Sequence, residues 1–279
     1  MKMRLRLFLV GFMAVAGSLS AADTNKWKLV WADEFDRPGL PDPAKWDYEV
    51  GFIRNNESQF YTRARKENAR VENGMLVIEA RKEDYKNPNY QPGFTRRGNQ
   101  EKAQYTAASL VTRGKASWTY GRVEVRAKLP EGRGTWPAIW MLGTNLSAVG
   151  WPTCGELDIM EFVGFNPGQV HANVHTKKYN HAKGTGRGST IKQADVSKEF
   201  HNYVMEWFPD RLDFYLDDQK YFTCKNDGAG EESWPFDKPE YLILNLAIGG
   251  AWGGQKGIDD AIFPTRFLID YVRVYQAKE

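Results

Sequence analysis

Gly155-Glu156-Leu157-Asp158-Ile159-Met160-Glu161-Phe162 sets three carboxylates among apolar, β-forming neighbours, the composition of a strand buried on one face. Residues two apart on a strand share a face, so Glu156 and Asp158 project one way while Leu157 and Ile159 point into a core. Glu161 lies an odd number of residues from Glu156, and a regular strand would turn it to the opposite side. One extra residue near Ile159 and Met160, a β-bulge, returns it to the face of the other two, and bulges are over-represented beside active sites. The spacing then becomes four strand steps, about 13 Å between Cα atoms. Two glutamates leaning together across that gap can approach the ~5–5.5 Å carboxyl separation of a retaining glycosidase. The triplet alone fits equally well a surface strand whose acids face water.

The chain of 279 residues suits one large domain or two small ones. Fifteen Phe, thirteen Tyr and ten Trp make it aromatic-rich, which serves both β cores and sugar-binding clefts. Residues 1–22 read as a secretory signal: Lys2, Arg4 and Arg6 form a basic start, Leu7 to Ala16 an apolar run, and Ser18 to Ala22 a small-residue region, with cleavage expected after Ala21 or Ala22. The apolar run is too short to span a bilayer. The expected product is a single domain, 23–279, secreted to a periplasm or the extracellular space.

Of the 38 basic residues, three lie in that leader, so the remainder balances 35 acidic ones. Bulk charge therefore gives no footing for nucleic acid, and a neutral polymer fits as a partner. Cys154 and Cys224 are too few for a disulfide framework, and two separate buried thiols are expected.

Strands are expected throughout, with no long amphipathic helix and no repeat. Trp27 to Phe35 opens the set, and Ala69 to Ala80 reads as a hairpin turning at Asn73-Gly74. Lys82 to Gln104 reads as a polar surface excursion. Tyr120 to Leu129 alternates cleanly between apolar and charged residues, and Tyr241 to Ile248 has the near-continuous apolar character of a central strand. Trp136 and Trp140 share one face of an extended segment, either core or cleft. His171, Asn173 and His175 share another. No helix-borne or Cys-paired ligand spacing accompanies these histidines, so no catalytic metal is expected. Many short strands with frequent turns predict an all-β fold, a two-sheet antiparallel jelly-roll sandwich with an open concave cleft.

Trp151-Pro152-Thr153-Cys154-Gly155-Glu156-Leu157-Asp158-Ile159-Met160-Glu161 closely resembles the signature of glycoside hydrolase family 16, in its bulged, laminarinase-like branch. Asn55-Asn56-Glu57-Ser58-Gln59-Phe60-Tyr61-Thr62 resembles a second laminarinase segment, and Gly249-Gly250-Ala251-Trp252-Gly253-Gly254 a third. The resemblance implies a nucleophile at Glu156, a supporting acid at Asp158 and an acid/base at Glu161. It further implies sugar contacts by Asn56, Trp136, Trp140 and Trp252, and a histidine, His175, beside the acid/base. A structural calcium would match Glu34, Gly74 and Asp270, with no cofactor needed for catalysis. The implied activity is endo-β-1,3-glucanase, acting as a monomer on β-glucan. Mixed-linkage β-1,3-1,4-glucan is the alternative substrate, and a non-catalytic glucan-binding protein the alternative class.

Overall fold

The computed structural model describes residues 26–95 and 98–278. The leader at 1–22 lies outside the described residues. Seventeen strands are present among those described: β1 (Trp27–Asp33), β2 (Asp47–Tyr48), β3 (Gln59–Tyr61), β4 (Ala69–Glu72), β5 (Met75–Lys86), β6 (Lys102–Ala107), β7 (Ser109–Val111), β8 (Gly121–Lys128) and β9 (Thr135–Gly143), then β10 (Glu156–Phe162), β11 (Gln169–His175), β12 (Arg187–Lys192), β13 (His201–Trp207), β14 (Arg211–Leu216), β15 (Gln219–Lys225), β16 (Glu240–Ile248) and β17 (Thr265–Ala277). They form a sheet of ten strands, ordered β15-β14-β13-β8-β17-β5-β6-β3 with β1 on β17 and β4 on β5, and a sheet of seven, ordered β12-β11-β10-β9-β16-β7-β2. Pairing is antiparallel except between β3 and β6.

Alternation explains the layering. Leu242, Leu244, Leu246 and Ile248 of β16 enter one buried cluster with Val123, Val125 and Ala127 of β8 and Phe267, Ile269, Val272 and Val274 of β17. That cluster is the core between the sheets. Tyr241 and Ile243 face the other way and pack with Ala138, Trp140, Leu142 and Cys154 in a smaller cluster on the outer side of the seven-stranded sheet. The jelly-roll reading of the sequence therefore holds. No helix among the described residues is long and apolar enough to cross a membrane, and the one α-helix among them, Leu146–Val149, is a single turn.

The Asn73-Gly74 turn joins β4 to β5 with both residues at positive φ, the conformation a type I′ hairpin requires. Cys154 and Cys224 are free and buried. One expected boundary moves. Lys82 does not begin a loop, because β5 continues to Lys86 and pairs with β6 from Lys102 onward. Half-buried Arg81, Glu83 and Tyr85 alternate there with exposed Lys82, Asp84 and Lys86. A charged strand at a wet sheet edge has the composition of a loop and only its period distinguishes it.

Candidate active site

The pairing of β10 contains the extra residue. Glu156 pairs with Leu142 and Glu161 with Ala138 on β9, while on β11 the partners are His175 and His171. Each neighbour advances four residues where β10 advances five. Ile159 and Met160 both enter the inter-sheet core, together with Leu157 and Phe162. The bulge thus absorbs one residue on the apolar side, and Glu156, Asp158 and Glu161 all line one cleft of about 520 Å³ on the outer face of the sheet. The same device recurs on β17, where Asp270 is the residue left over between Ile269 and Tyr271 in the pairing with β8.

The three acids have different partners. Trp151 Nε1 donates to Glu156 Oε2 at 2.7 Å, while Glu156 Oε1 lies 3.7 Å from His175 Nε2. Asp158, buried at 2% exposure, lies 3.4 Å from the same nitrogen. Glu161 accepts from Trp136 Nε1 at 3.1 Å and from Asn173 Nδ2 at 2.9 Å. Burial pushes all three carboxyls above their ordinary range, with the charge of Asp158 adding to the rise at Glu156 and that of Glu161 to the rise at Asp158. At Glu161 the two donated hydrogen bonds and His175 oppose the rise. Acids in mutual contact with unequal partners take up protons unequally, and that division is what acid and nucleophile roles need.

The cleft walls come from distant segments. Trp136 stands edge-on to Trp252, ring centroids 5.6 Å apart, and Trp252 in turn packs on His171 at 5.0 Å. Trp151, 40% exposed, packs at a tilt against His181, ring centroids 5.2 Å apart. Trp140 is buried against the cleft: it donates Nε1 to Asn245 Oδ1 at 2.7 Å, and the Arg54 guanidinium sits 4.8 Å from its ring centroid. Arg54 is held by Glu49, which also accepts from Ser109 Oγ at 2.7 Å.

Of the positions named from the sequence, Glu156, Asp158, Glu161, Trp136 and Trp140 line the cleft. In the Asn-Asn-Glu segment the lining residues are Asn55 and Glu57, flanking Asn56. Glu57 is buried, accepts from Gln59 Nε2 at 2.8 Å, and belongs to a brace in which Ile248 N donates to Gln59 Oε1. His175 sits beside Glu156 and Asp158, whereas the direct partner of Glu161 on that strand is Asn173. His175 pairs with Glu156 across the β10–β11 register, Glu161 lies opposite His171 four residues along β11, and His175 acts on Glu161 through its charge alone. On the far sheet, the Glu34 carboxylate is paired with Arg273 at 2.8 Å and that of Asp270 with Arg126, and Gly74 lies in the β4–β5 turn. Two of the three carboxylate or carbonyl positions suggested for calcium thus already give their side-chain charge to an arginine.

Sequence reasoning missed Trp151, Asn173, Arg54, Glu49, Asn245 and His181 as site residues. Trp151 sat inside the quoted motif and Asn173 on the predicted face, but nothing in the sequence says which acid either of them meets. It also missed Glu240, which begins β16 at 1% exposure with neither carboxyl oxygen hydrogen-bonded. A Cβ at Gly155 would meet its Oε1 at 3.0 Å, so the group is pressed against the backbone that starts the acidic strand. Burial, then the charges of Glu156 and Asp158, hold its pKa well above the ordinary value. A folded-state pKa raised above the unfolded one near 4.3 means that stability is fully present below that pH and is lost as pH climbs toward the folded value. Glu240→Met should therefore stabilise the protein by roughly 1–3 kcal/mol, more at pH 8 than at pH 5. Thermal melts at both values check this, and an equal shift at the two would show the carboxyl is not strained by ionisation.

Two hydrogen-bonded glutamates flanking a buried aspartate across an aromatic-walled cleft are the machinery of glycosidic bond hydrolysis, and comparison with known proteins agrees. Residues 56–273 match the family model of glycosyl hydrolases family 16. A β-glucanase of Rhodothermus marinus is 50% identical, over 98% of this chain and 95% of its own length. The crystal structure of the laminarinase from Rhodothermus marinus superposes with a TM-score of 0.84 at 52% identity, covering 91% of this chain and 98% of that one. A non-specific endo-β-1,3(4)-glucanase of the same family gives 0.80 at 48% identity, covering 90% and 92%. With the fold, the bulged acidic strand and these likenesses in agreement, the chain belongs to the glycosyl hydrolases of family 16.

Proposed function

We propose that the protein is an exported, monomeric endo-β-1,3-glucanase that cleaves laminarin-type glucan with retention of configuration. The observation that carries this is the β10 bulge, which sets Glu156 and Glu161 on one cleft face with different hydrogen-bond partners. Ionised Glu156, steadied by Trp151, attacks the anomeric carbon while protonated Glu161 gives its proton to the leaving oxygen. Glu161, now a carboxylate, takes a proton from the water that releases the glycosyl enzyme. The charge of Asp158 adds to the rise at Glu156, and so tunes the nucleophile. Trp136 and Trp151 line the cleft and can offer aromatic surface to sugars. Reducing-sugar release from laminarin, with the product anomer followed by NMR, is the test. No release from laminarin, or products of inverted configuration, would overturn the proposal.

A second substrate reading has its own support, since the structural relative described above as non-specific acts on β-1,3(4)-glucan. Rates on laminarin and on mixed-linkage β-1,3-1,4-glucan measured side by side distinguish them, with laminarin expected to be the faster.

Asn173 gives the mechanism a pH signature. Its amide favours ionised Glu161, so Asn173→Ala should raise the pKa of that carboxyl further. The first step needs the protonated acid, and the alkaline limb of kcat/KM should move to higher pH. Deglycosylation needs the ionised form, so kcat should fall most on the acid side. An unshifted alkaline limb would show that Asn173 does not act on Glu161.

A further inference from the structure

We propose that the floor of the cleft is also a binding site for a divalent cation of zinc type, held by Glu156, Asp158 and His175, and that the bound ion reversibly blocks the site. His175 Nε2 lies 3.4 Å from Asp158 Oδ2 and 3.7 Å from Glu156 Oε1. One ligand atom from each of the three residues falls within 4.8 Å of the other two. Tetrahedral zinc with bonds of about 2.0–2.2 Å places neighbouring ligand atoms about 3.3–3.6 Å apart; the Asp158 separation from the imidazole falls in that range and the Glu156 separation lies just beyond it. Imidazole with two carboxylates is a ligand set zinc takes readily, and Glu156 and Asp158 both line the cleft, from which water can supply a fourth ligand.

The three atoms are free to ligate. Trp151 occupies Glu156 Oε2 and leaves Oε1 facing the imidazole. Asp158 Oδ2 is buried with no hydrogen-bond partner, and the far ring nitrogen of His175, also buried, is unpartnered as well. Two carboxyls buried against each other repel when both ionise, and a dication between them converts that repulsion into attraction. The other histidine on the same strand does not join the group: His171 Nδ1 bonds Thr190 Oγ1 at 3.0 Å and its ring packs on Trp252.

A zinc ion bound through Glu156 Oε1 occupies the oxygen that would attack sugar, so glucan and metal compete for the floor. That competition rests on the glucanase reading, whereas metal binding does not. The test is calorimetric titration of the metal-free chain with zinc chloride, without glucan. One zinc per chain is expected. His175→Asn should weaken it by more than the roughly 10- to 100-fold that loss of an outer-shell partner costs, while His171→Asn leaves it unchanged. Asp158→Asn, closer in shape, should weaken it similarly and serves if the histidine variant fails to fold. Absence of saturable binding up to millimolar zinc, or wild-type affinity in both ligand variants, overturns the site. In a parallel laminarin assay, zinc should raise apparent KM with kcat unchanged, and EDTA should restore the rate; a fall in kcat alone would place the ion elsewhere. Failure of the metal-free chain to hydrolyse laminarin would count against the glucanase reading and leave the calorimetric result standing.

Discussion

Glu156→Ala should lower turnover on laminarin by roughly 10⁴- to 10⁶-fold, the range seen when a covalent nucleophile is removed, while the fold persists. Glu156 makes one side-chain hydrogen bond, to Trp151 at the cleft mouth, and its carboxyl is held against the charges of Asp158 and Glu161. Its loss removes that repulsion, so the thermal midpoint should hold or rise slightly. Sodium azide should restore turnover of a substrate with a good leaving group, because a small anion fits the space the carboxylate vacates. The azide attacks from that side, and the product is a glycosyl azide of inverted anomeric configuration. Hydrolysis near the wild-type rate would remove Glu156 from the mechanism. Rescue giving the other anomer would place the vacancy on the leaving-group side.

The second large effect concerns backbone count rather than a side chain. Inserting one alanine between Met160 and Glu161 should abolish hydrolysis, because a second extra residue turns Glu161 toward the core, where Leu157, Ile159, Met160 and Phe162 now lie. Burying that carboxylate among apolar groups costs several kcal/mol, and the variant should melt well below wild type. Deleting Met160 is the informative counterpart. The strand then advances four residues against four on β9 and β11, and Glu156, Asp158 and Glu161 remain on one face with unbroken alternation. The deletion forfeits a fully buried methionine, about 2–5 kcal/mol, yet should keep hydrolysis well above that of the insertion. Activity in the insertion variant, or none in a folded deletion variant, would show that the shared face is not what the bulge provides.

The acidic strand was legible because its information is local. Period two assigns Leu157 and Ile159 to the core and Glu156 and Asp158 to the other side, and the misfit of Glu161 announces the bulge before any coordinates. The Asn73-Gly74 hairpin and the central strand at Tyr241–Ile248 were legible for the same reason. Lys82 to Lys86 was misread because a charged edge strand resembles a loop in composition.

The hydrogen-bonding and charge partners of the acids were not legible. Asn173 reaches Glu161, and Glu240 presses on Gly155, only because β11 and β16 bracket the region from separate parts of the chain. Arg54 sits over the ring of Trp140, 86 positions further along, because the fold brings distant segments together there. His175 shows the limit most clearly: its face was predicted, but that it pairs with Glu156 while Glu161 falls opposite His171 is set by the register of β10 against β11.

By itself the order of residues determined the β class, the face each carboxylate takes and the need for an irregularity to unite them, since these follow from the two-residue repeat of an extended backbone. Tertiary structure alone decided which acid is held by Trp151 and which by Asn173, which aromatic rings wall the cleft and which lie in its floor, and that an imidazole stands between two carboxyls. Except for the Trp151–Glu156 contact, which spans five residues, those outcomes depend on the register of strands far apart in sequence, and a slip of one residue between neighbours would undo them.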